Sequence, residues 1–241
     1  MKALLLAAGE GTRLRPLTLT IPKCLVDIGG KPLLQHWLDD LAASGFFHNA
    51  IVNTHYLADS VEKFLSGYPS RIDVVTSYEA RLLGPGGTLL KHRGRLDDDD
   101  FLVAHADNFS VIDWARFVTA HRERPSRCVG TMMTFVTDDP RSCGIVETDA
   151  EGVLKVMHEK VAEPPGNLAN AAVFLFSPHV FDIISDIRGD GVIDISRDII
   201  PRLLGRLATF QTSGYHRDIG TPESLANARR DFEKIDRSGT E

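Results

Sequence analysis

Residues 1–23, MKALLLAAGEGTRLRPLTLTIPK, open with a short apolar run, Lys2 to Ala8, that has the composition of a buried strand. The run feeds at once into two glycines, two arginines, two prolines and a lysine. A phosphate-cradling P-loop would end in Gly-Lys-Ser/Thr, yet Gly11 is followed by Thr12, Arg13 and Leu14. A dinucleotide fingerprint would place a third glycine where a helix begins, and Leu14 stands there. Pro16 and Pro22 oppose a regular helix between them, because proline lacks an amide donor and pushes the preceding residue toward extended geometry. Residues 9–31 are therefore expected to form a long ordered loop, and such loops in compact domains are functional or disordered. Charge decides between a solvated basic loop and an anion site. Lys2, Arg13, Arg15 and Lys23 stand against Glu10, a balance of +3 in a chain whose net charge is −6. Phosphate binding is the expectation.

Outward from this loop, apolar runs and helical patterns alternate. Pro32 opens a predicted helix with Leu33, Leu34, Trp37, Leu38 and Leu41 on one face and Ser44-Gly45 closing it. A strand over 50–55, a helix over 57–65 and a strand over 72–77 follow. The glycine-rich turn LLGPGGTLL precedes a helix to about Leu96, FLVAHAD is a buried strand, and a helix runs from Trp114 to Arg122. This rhythm predicts a mostly parallel sheet with helices on both faces. The pattern then changes to antiparallel strands in CVGTMMTFVT and CGIVETDAEGVLKVMHEK, a strand in NAAVFLFS, and helices in DISRDIIPRLL and TPESLANARRDFEKI. The expected fold class is α/β: one domain over 1–241, a mixed, mostly parallel sheet flanked by helices, its second half partly an insertion.

Composition agrees. With 241 residues and 43% hydrophobic content, the chain can bury one large core. Cys24, Cys128 and Cys143 form no C-x-x-C pair and leave an odd count, which suggests free thiols in a reducing compartment. The N-terminal apolar run is too short for a signal peptide, and nothing approaches the roughly 20 apolar residues of a bilayer span. The acidic balance argues against nucleic acid. A cytoplasmic setting without membrane contact is expected.

In such sheets ligands gather beyond the carboxyl ends of the strands. Asp107 ends FLVAHAD, and Asp218 lies in YHRDIG behind another apolar strand. Each can cap the next helix. Alternatively, the two carboxylates can hold a divalent cation against phosphate, since hard ions prefer oxygen ligands.

Together these motifs resemble the sugar-1-phosphate nucleotidyltransferases, the mannose and heptose guanylyltransferases among them. GEGTRLRPLT with Pro22-Lys23 is similar to that family's start, and LLGPGGTLL, HADN, CGIVETD, HEK, NLANAAVFLFSP and YHRDIGTPES continue the likeness in order across nearly the whole chain. The resemblance implies a Rossmann-like nucleotide-diphospho-sugar transferase fold, with a nucleotide-binding part over about 1–125 and a sugar-binding part over about 126–241. It implies Mg²⁺ as cofactor, and NTP + sugar 1-phosphate → NDP-sugar + pyrophosphate as reaction. By the same resemblance Arg13 and Lys23 are catalytic. Ala8, Gly9, Gly11, Thr12, Glu79, Gly84 and Gly87 hold the nucleotide, and Gly144, Glu159, Lys160 and Asn170 the sugar phosphate. Asp107 and Asp218 bind the metal.

The glycine turn departs from the family's L-G-T-A-G, and Ala106 stands where glycine is common; neither change removes a charge. The hexapeptide-repeat domain of some relatives is not expected, whereas a homo-oligomer is compatible with the resemblance. Glu79 can accept from the N1-H and N2 amino groups of guanine, so the favoured partners are GTP and mannose 1-phosphate or D-glycero-D-manno-heptose 1-phosphate. The alternatives are a uridylyl- or thymidylyltransferase for a hexose 1-phosphate, and a non-catalytic nucleotide-sugar-binding regulatory subunit. Asp97 to Asp100 reads as a solvated turn, His158 as packed or solvent-facing, and Trp37 and Trp114 as core.

Overall fold

The computed structural model describes residues 1–187 and 191–238. In chain order it begins with β1 (Lys2–Leu6), β2 (Asp27–Ile28), β3 (Lys31–Pro32), α1 (Leu33–Ser44), β4 (Asn49–Thr54), α2 (Ala58–Gly67) and β5 (Asp73–Tyr78). Next come α3 (Gly84–Lys91), α4 (Arg93–Leu96), β6 (Phe101–His105), β7 (Asn108–Ser110) and α5 (Trp114–Arg122). The remainder is β8 (Gly130–Val136), β9 (Gly144–Thr148), β10 (Leu154–Glu159), β11 (Leu168–Phe176), α6 (Val180–Ile183), β12 (Leu207–Gln211), β13 (His216–Asp218) and α7 (Pro222–Ser238). The architecture is a mixed, mostly parallel sheet flanked by helices, the predicted class. Among the described residues no helix is long and apolar enough to cross a membrane.

The chain divides into two interleaved compact units. The first comprises Met1–Leu4, Leu82–Ala104 and Ile112–Gly214. Its strands run in the order β10-β9-β11-β6-β1, with β8 beside β11 and β12 beside β8. β11 is antiparallel to β6, β8 and β9, and β12 is parallel to β8. Its core includes packed aromatic rings: Phe101 stacks on the buried Phe181 at 5.5 Å, and the buried Phe117 stacks on the half-buried Phe210 at 5.2 Å. Each buried ring is worth on the order of 1.5–3 kcal/mol.

The second unit comprises Leu5–Arg81, His105–Val111 and the chain from Tyr215 onward. Here the order is β1-β4-β5, with β4 and β5 parallel. Helix α1 buries Leu33, Leu34, Trp37, Leu38 and Leu41, the face its spacing predicts, and Gly45 ends it at φ +72°, where a side chain would be strained. A buried cluster joins Leu14, Val26 and Ile28 of the opening loop to Leu33, Phe109, Ile219, Leu225 and Ala228. Residues 9–31 are thus ordered by the burial of Leu14, Cys24, Val26 and Ile28 and by the short β2–β3 pairing, while Leu19 and Ile21 stay exposed.

Local departures from the sequence pattern have local causes. The glycine-rich turn is itself the first turn of α3, since Pro85 at an N-terminal position needs no amide partner. Residues 194–204 form a π turn, Ile195–Ile199, and a 3-10 turn, Ile200–Leu203, rather than one helix, with Pro201 denying a mid-helix donor. Leu57, the first residue of the helix predicted over 57–65, instead caps α2 at φ 50°. The acidic turn is more than solvated: Asp98 accepts from Lys2 Nζ at 2.7 Å, and Asp100 contacts the buried His121. His158 lies 2.6 Å from Glu147 Oε1, and both tryptophans are core.

The His121 contact makes stability pH-dependent. Nε2 donates to Asp100 Oδ2 at 3.2 Å, and Nδ1 accepts from the Thr131 hydroxyl at 3.1 Å. Burial holds the His121 pKa below its ordinary value despite the pull of Asp100, and the hydrogen bond from His121 holds Asp100 low. A depressed folded-state pKa gives stability that is complete above the unfolded value and lost as pH falls. Urea unfolding should therefore show a decline below about pH 6.5, with a slope of at most ~1.4 kcal/mol per pH unit from this histidine. His121→Gln should flatten that part of the profile; an unchanged slope would mean the imidazole is protonated in the native chain.

Candidate functional site

In the second unit, the opening loop leaves Arg13 and Arg15 exposed and buries Leu14 and Lys23. Gly11 sits at φ +62° and starts the turn Thr12–Leu14. Its carbonyl accepts from Leu14 N at 2.9 Å and from the buried Thr18 hydroxyl at 2.8 Å. Leu14 enters the core, while Arg13 keeps 62% of its side chain exposed. After a turn over Leu17–Leu19, the turn Lys23–Leu25 buries Cys24 and turns Lys23 inward. Lys23 Nζ reaches Asp107 Oδ2 at 2.7 Å and Asp218 Oδ1 at 3.1 Å. Arg13 Nη2 lies 3.5 Å from Asp218 Oδ2, and His105 Nδ1 lies 3.9 Å from Asp107 Oδ1.

The two aspartates meet through a ribbon rather than at two strand ends of the main sheet. Asp107 lies between β6 and β7, and β13 pairs antiparallel with β7, placing Asp218 opposite Asn108. Helix capping is accounted for by other residues: Asp113 accepts from Arg116 N at 3.0 Å, and the Thr221 hydroxyl accepts from Ser224 N at 3.1 Å. Burial alone would lower the Lys23 pKa, but the charges and hydrogen bonds of Asp107 and Asp218 outweigh it and hold the ammonium above its ordinary value. Burial would likewise raise Asp107, and the Lys23 charge, with His105, brings it below the usual carboxylate range. The Cys24 thiol is pushed up to about 12 by burial and by Asp107, so it is inert at neutral pH.

Around this cluster Ala8 is buried, whereas Gly9 and Thr12 are exposed. The amide of Ala7 donates to Asn53 Oδ1 at 2.7 Å, Asn53 Nδ2 donates to Glu79 Oε1 at 3.1 Å, and His55 Nδ1 donates to the Glu79 carbonyl at 2.7 Å. Glu79 is buried, at 2% exposure. Gly220 lies in tight contact with the cluster, since a Cβ there would stand 2.7 Å from both Arg13 Nη2 and Asp218 Oδ2.

The first unit carries the other expected residues. Gly84 (φ +78°) and Gly87 open α3 beneath Ile193, whose carbonyl accepts from Gly86 N at 2.8 Å. A Cβ on Gly84 would lie 2.5 Å from that carbonyl oxygen, so close packing requires glycine there. Gly144 is in register with Glu159 across β9 and β10, and a Cβ on Gly144 would lie 2.7 Å from Glu159 Oε2. Lys160, at φ 51°, lies 3.6 Å from Glu159 Oε1. Asn170 sits beside a bulge of β11, where its Oδ1 accepts from the amide of Ala172 at 2.8 Å.

Thr18, Asn53 and Gly220 carry no sequence signal of their own, although Thr18 lies within GEGTRLRPLT and Gly220 within YHRDIGTPES. Their roles depend on contacts with distant residues. At Gly11 a Cβ would meet Thr18 Cγ2 at 2.9 Å and Lys23 Cβ at 3.1 Å in a left-handed conformation. Gly11→Ala should therefore cost ~1–3 kcal/mol of folding free energy, measured by urea unfolding. A loss below ~0.5 kcal/mol would show that the loop relaxes freely.

The nucleotidyl transferase family model matches residues 2–235. The chain is 33% identical over 235 residues to a mannose-1-phosphate guanylyltransferase of Mycobacterium tuberculosis, covering 95% of this chain and 64% of that one. It is 34% identical over 232 residues to a mannose-1-phosphate guanylyltransferase catalytic subunit beta of Xenopus tropicalis, with 93% and 62% covered. The crystal structure of HddC from Yersinia pseudotuberculosis complexed with GMP-PN superposes with a TM-score of 0.80 at 26% identity, covering 96% of this chain and 99% of that one. The chain spans a little under two thirds of the length of these curated relatives. Nucleotidyltransferases of this kind generally use a divalent metal. With its opening loop and two aspartates gathered on one lysine, and with the family match running from end to end, the chain belongs to the nucleotidyl transferase family.

Proposed function

We propose that this chain transfers a guanylyl group from GTP to a sugar 1-phosphate, releasing pyrophosphate, with mannose 1-phosphate or D-glycero-D-manno-heptose 1-phosphate as acceptor. The observation that carries the reaction class is Lys23 held between Asp107 and Asp218, with exposed Arg13 beside them. The names of the two curated relatives, and the GMP-PN bound to HddC, support guanine.

The acceptor phosphate is already anionic near neutral pH, so its oxygen attacks the α-phosphorus without a general base, and pyrophosphate leaves. The obstacle is charge. Arg13 binds the triphosphate, Lys23 neutralises phosphate oxygens at the reacting centre, and Ala8, Gly9, Gly11 and Thr12 hold the nucleotide by backbone and hydroxyl contacts. Glu79, whose Oε1 accepts from Asn53 Nδ2, is assigned as acceptor for the guanine N1-H and N2 amino groups, and Gly84 and Gly87 are assigned to the nucleotide as well. In the first unit, Glu159 and Asn170 face sugar hydroxyls, Gly144 makes room for Glu159, and Lys160 takes the sugar phosphate.

Asp107 and Asp218 offer only oxygen donors, which fits a hard divalent ion such as Mg²⁺. Among the described residues no cluster of three metal-binding side chains exists, so further ligands would be water and phosphate. Bound there, Mg²⁺ would supply neutralisation of phosphate charge.

Pyrophosphate release with each common NTP and a panel of sugar 1-phosphates tests this reading. GTP with a manno-configured acceptor should be fastest. A preference for UTP or dTTP would replace the base assignment, and no release with any pair would leave a nucleotide-sugar-binding regulatory subunit. Arg13→Ala and Lys23→Ala should each lower kcat/KM by about a hundredfold, the scale of ~3 kcal/mol per charged donor. Asp107→Asn and Asp218→Asn should fold normally and lose most metal-dependent turnover, with a combined effect less than additive. Gly220→Ala should keep its fold, because the atoms its Cβ meets are movable side-chain ends, but should slow turnover by about tenfold or more. Wild-type rates in Gly220→Ala would show that Arg13 and Asp218 need no fixed geometry.

A further inference from the structure

We propose that Lys23 is the resident counter-ion of the Asp107–Asp218 pair, and that its ammonium competes with a divalent cation for the same two carboxylates. The inference rests on the reading that these carboxylates bind the metal. Lys23 Nζ lies 2.7 Å from Asp107 Oδ2 and 3.1 Å from Asp218 Oδ1, so it occupies the place where a cation shared by both would lie. Only 7% of its side chain is exposed, against 26% for Asp107 and 51% for Asp218. The ammonium is the buried member, and the carboxylates are open on their outer sides. One positive charge between two negative ones leaves a net charge of −1, and Arg13 touches only Asp218, at 3.5 Å.

Two cations cannot share both carboxylates without strong repulsion at such distances. The Lys23 stem permits an exchange. Its Cβ packs against Gly11, where an added methyl would come within 3.1 Å, while the flexible carbons beyond can re-aim the head group. Entry of a divalent ion therefore frees the ammonium. The same side chain is then counter-ion to the carboxylates in one setting and a positive charge available to phosphate in the other.

Mn²⁺ binding to the full chain, followed by the electron paramagnetic resonance of free Mn²⁺ without nucleotide or sugar phosphate, tests the exchange. Lys23→Met should bind Mn²⁺ at least ~10-fold more tightly than the unaltered chain; equal or weaker binding would overturn the proposal. Should that variant not fold, amine acetylation of Lys23 in the unaltered chain, read by mass spectrometry, replaces it. Labelling should rise several-fold on adding Mg²⁺, and constant or reduced labelling would overturn the exchange. Asp107→Asn separates the layers: unchanged Mn²⁺ affinity in that variant would remove the underlying metal assignment. Failure of the transferase reading would appear only in the pyrophosphate assay.

Discussion

The second unit depends on one ammonium held between two carboxylates. Desolvating Lys23 is unfavourable, and leaving a buried charge without its partner costs on the order of 3–5 kcal/mol. The arrangement therefore persists only if the surrounding chain fixes both aspartates within hydrogen-bond reach. Leu14, Val26 and Ile28 place the opening loop in the core, and Phe109 and Ile219, in that same cluster, each lie within two residues of one of the aspartates. One cluster thus anchors the loop that delivers the lysine and the ribbon that delivers the carboxylates. Hydrophobic burial, which is non-directional, supplies the energy, and the hydrogen bonds supply the aim.

Close approach is the second constraint. The loop turns at Gly11 because Thr18 and Lys23 crowd its Cα, and the Arg13–Asp218 contact exists because Gly220 has no side chain to displace it. These two glycines differ in kind. Gly11 has a left-handed backbone that any other residue would strain, whereas Gly220 stands in ordinary backbone beside movable side-chain ends. The first governs folding and the second governs geometry, which is why their replacements should separate in stability and turnover.

Much of the fold was legible because it obeys local rules. Periodicity located the five buried residues of α1 and both boundaries of α5, and proline and charge marked residues 9–31 as an irregular basic loop. The candidate site was legible as residue types, through motifs. What could not be read was pairing. That Asp218 lies opposite Asn108 is a register between segments more than a hundred residues apart, and nothing in HADN or YHRDIG encodes it locally. Asn53 was hidden for the same reason: within AIVNTH it is one polar residue in an apolar strand, and only the fold brings Ala7 and Glu79 to its two ends. Residues 194–204 misled in the opposite direction, because their apolar spacing suits a helix that Pro201 forbids.

The first unit manages its candidate site by strain rather than by charge. Lys160 and Ala172 are the two non-glycine residues there with left-handed backbone, at φ 51° and 53°, among the described residues. Such positions cost about 1–3 kcal/mol each and persist only where neighbours over-determine them. Both are held by hydrogen bonds: Lys160 N donates to the Cys143 carbonyl at 3.2 Å, and Ala172 N donates to Asn170 Oδ1 at 2.8 Å. The bulge at Ala172 shifts the β11 register between Asn170 and Phe174, and the buried Thr134 hydroxyl opposite Asn170 has no hydrogen-bond partner among the described residues. A strand optimised only for stability would be straight at this point. The cost concentrates at the residues proposed to face the sugar phosphate, where a bulge can re-aim a side chain that regular pleating would turn away.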